Sequence, residues 1–136
     1  MGLGKVRAHS DMADPIRSFR DLIVWQKSMD VAVDVVLMAD HLKEAGSIVL
    51  ADQMHRSAVS VPSNIAEGHG RRSRREYARF IQVALGSLRE LMTQLEVVRR
   101  TRKKYADVAV GLMGKTDEVG KMLYALHISL QRPPKE

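Results

Sequence analysis

The feature that most constrains this chain is a heptad pattern near its middle. Seven residues recur at alternating spacings of four and three: Tyr77, Ile81, Ala84, Leu88, Leu91, Leu95 and Val98. This spacing places them on one side of a long α-helix, which must pack lengthwise against a partner helix. Ser73 and Glu76 form a capping-box sequence and predict where the helix begins. A second apolar row, formed by Phe80, Leu85 and Met92, indicates that it contacts more than one neighbour.

A first helix is predicted from about residue 22 to residue 42, with Asp21 as its N-cap. Its expected core face carries Trp25, Met29, Ala32, Val36 and Ala39, widened by Val33 and Leu37. These residues recur at the spacing of an amphipathic helix, so we expect this face to pack inward.

Two further helices are predicted over residues 48–66 and 107–130. Pro62 lies inside the second helix, where a missing backbone donor predicts a kink. Gly68 and Gly70 are expected to end that helix by adopting positive φ. No segment alternates as a strand does. Four helices with short connections predict an all-α fold, an antiparallel up-down-up-down four-helix bundle with a Pro-kinked second helix.

Length and composition narrow the class of protein. The 136 residues suffice for one domain, which we place at residues 19–130, between a flexible arm (1–18) and a flexible tail (131–136). The arm has no apolar core typical of a secretory signal. No apolar run approaches the ~20 residues that span a bilayer, so we expect no membrane contact and a cytoplasmic location. The chain has no cysteine, which excludes disulfides and thiolate metal sites.

Positive charge is concentrated in one part of the chain. The net charge is +6, yet residues 71–104 hold eleven Lys and Arg against three Glu, a net charge of +8. Such asymmetry favours a polyanionic partner, although a solvated basic surface is the alternative. The predicted nucleic-acid contacts are Arg71, Arg72, Arg74, Arg75, Arg79, Arg99, Arg100, Arg102, Lys103 and Lys104. Four arginines at a helix N-terminus oppose the helix dipole, which indicates that they were not selected for stability. The second group suits a helix C-terminus.

A polar motif around Pro62 has two possible roles. We predict a structural polar network formed by Ser63, Asn64, Glu67 and Gly68, with a ligand site as the alternative. The freed backbone groups near a helical proline need partners, which Ser63 and Asn64 can supply. Asn64 and Glu67 could also bond Gln94, Glu90 or Arg56 on the bundle.

Nothing in the chain indicates catalysis. The five histidines show no metal-ligand spacing, and the serines lack a base and an acid in a plausible order. We therefore predict a non-enzymatic protein with no catalytic residue, metal or cofactor. Trp25 is expected in the core or an interface.

Three segments resemble a known family closely. They are FRDLIVWQKSMD (19–30), RSAVSVPSNIAEGHGRRSRREYARFIQVALGSLRELMTQLEVVRR (56–100) and GKMLYALHISL (120–130). They are similar to the bacterial four-helix-bundle proteins encoded in 23S ribosomal RNA intervening sequences. His69 departs from that pattern, in which an aromatic usually stands between the two glycines. The resemblance implies a four-helix bundle that assembles as a homopentamer, with no established catalytic activity. A related bundle is the basic accessory protein of diversity-generating retroelements, which associates with a reverse transcriptase and nucleic acid.

Two functions remain open from the sequence. The first is a homo-oligomer, a pentamer by the resemblance, that binds structured RNA, or nucleic acid generally, through phosphate contacts. Its sequence specificity should be low, because the basic residues come without aromatic or amide readers. The second is an adaptor ring that docks a protein partner such as a reverse transcriptase, with incidental basic charge.

Overall fold

The computed structural model describes residues 15–133, which form four long helices. They are α1 (Ile23–Glu44), α2 (Ile48–His69), α3 (Arg74–Thr101) and α4 (Ala106–Gln131). Short 3₁₀ turns at Phe19–Asp21 and Lys103–Tyr105 precede α1 and α4. No strand occurs in this part of the chain. The predicted all-α four-helix fold is confirmed.

Each helix packs on the next along the chain, and α1 also contacts α4, less extensively. Lys27 and Asp34 of α1 form ion pairs with Glu118 and Lys115 of α4, at 3.0 Å and 3.1 Å. The later residue of α1 pairs with the earlier residue of α4, so these two helices run in opposite directions. The start of α3 likewise lies beside the end of α4, where the Arg74 guanidinium donates to the Ser129 carbonyl. This juxtaposition positions the candidate site.

The core is aliphatic and follows the heptad pattern of α3. Six of its seven residues are buried, and Tyr77 is half-buried. Ile81, Leu91 and Leu95 are completely enclosed by the other helices. Burial raises the pKa of the Tyr77 phenol, which keeps that group neutral over the physiological range.

The predicted core face of α1 is partly wrong. Trp25, Met29 and Val36 are only half-buried, and Val33 and Leu37 are 50% and 57% exposed. The side of α1 that reaches the core instead carries Val24, Val31, Ala32, Val35, Met38, Ala39 and Leu42. Because α1 is apolar on nearly all sides, the sequence pattern does not single out one face.

The predicted N-cap of α1 is also wrong. The Asp21 carboxylate accepts from the backbone N–H groups of Arg17 and Ser18, at 2.9 Å and 3.3 Å, so it caps the 3₁₀ turn. Helix α1 begins after Leu22 without a side-chain cap. At α3, the Ser73 hydroxyl accepts from the Glu76 N–H at 3.1 Å, as one half of the predicted capping box requires.

The positive φ predicted for the two glycines after Pro62 is wrong, although Gly70 is the C-cap residue of α2. Gly68 lies inside α2, and Gly70 has φ −80°. Gly46, between α1 and α2, has φ 95° and is the only positive-φ glycine among residues 15–133. Helix α2 continues through Pro62 as one helix, so the kink remains a prediction.

The limits of the bundle remain predictions. Residues 1–14 of the predicted arm and 134–136 of the predicted tail lie outside the described residues. None of the described helices combines the length and apolar character that crossing a bilayer needs.

Candidate nucleic-acid interface

The arginines at the start of α3 surround a cleft. It has a volume of about 960 Å³ and lies between the first turns of α3 and the last turns of α4. Its charged and polar lining includes Arg74, Arg75, Glu76, Arg79, Gln82, His127 and Arg132. Guanidinium groups are therefore concentrated in a concave surface where, among residues 15–133, Glu76 supplies the single carboxylate of the lining. Such a surface can bind an anion through charge-assisted hydrogen bonds.

Arg74 has a structural role within this cleft. Its guanidinium donates to the carbonyl oxygens of Ser129, at 2.6 Å, and Arg132, at 3.2 Å. The last carbonyls of a helix lack intrahelical donors, so Arg74 satisfies the end of α4. Its charge is unfavourable for the α3 dipole and favourable for the neighbouring α4 terminus. The expectation that the arginine block has no stabilising role is therefore wrong for Arg74.

The other arginines at this end differ in how far they are neutralised. Arg71 pairs with Glu67 at 2.8 Å and also stacks on Phe80, 4.7 Å from the ring centre. Arg79 stacks on the same ring at 5.0 Å. The side chains of Arg72 and Arg75 are exposed and have no partner among the described residues.

The second basic group lies at the opposite end of α3, and its three arginines all have hydrogen-bond partners. Arg99 and Arg100 share the Glu96 carboxylate, at 2.7 Å and 2.6 Å. Hydrogen bonds from Arg99 and then Arg100 lower the pKa of Glu96 to about 2, so this carboxylate is ionised at neutral pH. Arg102 donates to the Ser47 hydroxyl at 2.9 Å.

The two lysines complete this second group. Lys104 lies over the Tyr105 ring at 5.8 Å. Lys103 is exposed and has no described side-chain partner. The predicted contact residues thus form two separate groups rather than one surface.

The polar motif forms a network, but with different members from those predicted. The Asn64 amide donates to the Ser60 carbonyl at 2.8 Å and to the Ser60 hydroxyl at 3.0 Å. Ser60 reaches the Ser87 hydroxyl on α3 at 2.8 Å. Ser57 donates to the Gln94 side-chain oxygen at 2.7 Å. Serines of α2 therefore make the bonds across the helix interface that we expected from Asn64 and Glu67.

Ser63 and Glu67 face solvent instead. The Ser63 hydroxyl donates to the Val59 carbonyl at 2.8 Å, within α2. Glu67 pairs with Arg71, four residues along the chain. The predicted bonds from Asn64 and Glu67 to Gln94, Glu90 or Arg56 do not form.

Gly68 allows α2 and α3 to approach closely. A Cβ atom at this position would lie 2.7 Å from the Phe80 Cβ and 3.0 Å from the Tyr77 ring. The His69 ring packs edge-on against Tyr77, with ring centres 5.8 Å apart. The close approach of α2 and α3 at Gly68 therefore fixes the position of Phe80, the neighbour of the cleft residue Arg79.

The sequence analysis missed three residues of the cleft: Gln82, His127 and Arg132. Arg132 was assigned to the flexible tail, and His127 was considered only as a metal ligand. The predicted antiparallel order of the helices could have identified these residues, because it places the end of α4 beside the start of α3. Within residues 15–133, no group of three or more His, Asp or Glu side chains could hold a metal ion.

Fold and cleft together define the class of protein, an all-α four-helix bundle with a group of basic side chains at each end of α3. The chain belongs to the 23S rRNA-intervening sequence protein family, whose model matches residues 20–125. A crystal structure of a protein from Bacteroides thetaiotaomicron, described as having unknown function and belonging to the S23 ribosomal protein family, is similar. It has 26% sequence identity and a TM-score of 0.74, over 77% of this chain and 98% of that one. Among curated proteins, none matches the chain.

Proposed function

We propose that this protein is a non-enzymatic homo-oligomer that binds nucleic acid, structured RNA above all, through contacts to phosphates. The observation that carries the proposal is the cleft at the start of α3, where Arg75 and Arg79 meet Arg132, the C-cap residue of α4. Arginine forms bidentate hydrogen bonds with phosphate oxygens. No Phe, Tyr or Trp among the described residues lines the cleft, which supports binding to the backbone rather than stacking with bases.

Self-association is supported by the apolar surface of α1. A groove of about 420 Å³ between α1 and α2 is lined by apolar side chains that include Trp25, Met29, Leu37 and Pro62. Leu37 also borders a second groove between α1 and α4, beside Val108. Exposed apolar side chains that line a groove are typical of protein interfaces, so we assign both grooves to contacts with further copies of the chain. Five is the number that the family resemblance implies.

The same α1–α2 groove favours the second candidate function, an adaptor that docks a protein partner such as a reverse transcriptase. An apolar interface and a phosphate interface differ in their response to salt. Binding through an apolar groove depends weakly on ionic strength, whereas phosphate contacts release counterions.

A salt titration tests the proposed function. The purified protein is titrated against a structured ribosomal RNA fragment and against duplex DNA at increasing salt concentrations. We expect the logarithm of the association constant to fall linearly with the logarithm of salt concentration, by about 0.9 per phosphate contact on duplex DNA. Absence of binding to both polymers at low salt would contradict the proposal and favour the adaptor.

A further inference from the structure

We infer that only one end of the bundle binds nucleic acid, and that the site is the cleft between the start of α3 and the end of α4. The ligand is a stretch of sugar–phosphate backbone, held by Arg75, Arg79 and Arg132. The inference rests on the proposed function and narrows it, because the sequence alone treats both basic groups as equal contacts.

The two ends differ in how their arginines are bonded, while Lys103 and Lys104 at the far end take part in no described ion pair. At the far end of α3, the Arg99 and Arg100 guanidiniums share one carboxylate of low pKa, and Arg102 is bound to Ser47. A phosphate would have to displace these partners to bind those groups. Arg75 in the cleft has no described side-chain partner, so its donors are free. Exposed ion pairs are weak, but they lower the positive potential that attracts a polyanion.

Orientation also favours the cleft. Phe80 holds the Arg79 guanidinium at 5.0 Å from its ring, and a stacked guanidinium keeps its edge N–H groups available. Holding the side chain before binding reduces the ordering cost of making the contact. Arg74 joins α3 to the end of α4, which keeps Arg132 opposite Arg75 and Arg79.

The shape of the surface agrees with a phosphate backbone. A volume of about 960 Å³ is at the upper end of the range for ligand pockets, too large for one phosphate ion to fill. Gln82 and His127 add further hydrogen-bonding groups within the lining, and both can bond sugar or phosphate oxygens. Among the described residues, Glu76 supplies the one carboxylate of the lining.

The test compares two variants that remove equal charge at opposite ends of the bundle. The first carries Arg75→Gln and Arg79→Gln. The control carries Lys103→Gln and Lys104→Gln, two exposed residues that take part in no described ion pair. All four side chains are exposed, and circular dichroism verifies that both variants fold. Each is titrated with the same RNA duplex across a salt series, and polyglutamate serves as a polyanion without phosphate.

We expect the cleft variant to lose about two units of the salt slope and the control to keep the wild-type slope. Equal losses in both variants, with the wild type still binding RNA, would overturn the one-ended site and leave the proposed function intact. Polyglutamate binding with the wild-type RNA slope would overturn the assignment to phosphates. A wild type that binds no RNA would overturn both the proposed function and this inference.

Discussion

Replacing Leu37 by Glu is expected to dissociate the proposed homo-oligomer and to lower the proposed affinity for structured RNA by a factor of about 10² to 10⁴. Leu37 borders the apolar grooves on both sides of α1, and its side chain is 57% exposed in the single chain. A carboxylate there would be buried without a partner in the assembly but solvated in the monomer. The clefts remain intact, so the lost affinity comes from the loss of simultaneous binding by several copies.

Sedimentation velocity measures the assembly, and fluorescence anisotropy with a labelled RNA measures the affinity. Val110→Glu is the matched control, because Val110 is 53% exposed on α4 and borders neither α1 groove. Both substitutions add one negative charge, so a difference between them cannot come from net charge. If Leu37→Glu sediments as the wild type does, the assignment of the α1 grooves to further copies is wrong.

Gly68→Ala is expected to lower the free energy of unfolding by about 1–3 kcal/mol, the usual cost of overpacking. The added methyl group would meet the Phe80 Cβ at 2.7 Å, and that atom cannot move without the α3 backbone. The better helix propensity of alanine offsets only part of this cost, because Gly68 lies next to the last residue of α2.

The matched control is Gly114→Ala in the middle of α4. A Cβ atom there would have no neighbour within 4 Å, so the substitution should raise stability by up to about 1 kcal/mol. Urea unfolding of both variants at equal protein concentration measures the two effects, since assembly makes stability depend on concentration. If Gly68→Ala raised the free energy of unfolding, as Gly114→Ala should, then helix propensity rather than the α2–α3 contact would govern stability at Gly68.

Helix α3 was predictable in detail because independent local signals agree. The heptad pattern identifies its buried side, and Ser73 marks its first turn. Both are properties of a short stretch of chain, and the structure confirms both. Helix α1 lacks such agreement, because its apolar residues surround the helix and any of several faces satisfies the spacing. Which face reaches the core depends on the neighbouring helices.

Gly68 shows a different limit of local reasoning. A glycine near the end of a helical pattern is typical of a C-cap, and its neighbourhood in the sequence supports that interpretation. The actual requirement comes from Phe80, twelve residues later, which approaches only once α2 and α3 have packed. The close contact could not be deduced from the spacing of residues within α2.

The candidate site was predictable as a group of charged residues but not as a cleft. The sequence locates Arg75 and Arg79 near a helix start, whereas Arg132 joins them only through the packing of α4 on α3. The pairing of Arg99 and Arg100 with Glu96 could have been predicted from the sequence, because spacings of three and four residues place these side chains together on a helix.

Hydrogen–deuterium exchange with and without bound RNA tests the central claim most directly, because it locates the contact without any substitution. The first N–H groups of α3 have no intrahelical acceptors, and the last turn of a helix readily frays, so both edges of the cleft should exchange fast in the free protein. We expect RNA to slow exchange at the amides of residues 73–82 and 127–132 and to leave residues 96–105 unchanged. Slower exchange confined to residues 96–105, or no change at saturating RNA, would contradict this claim.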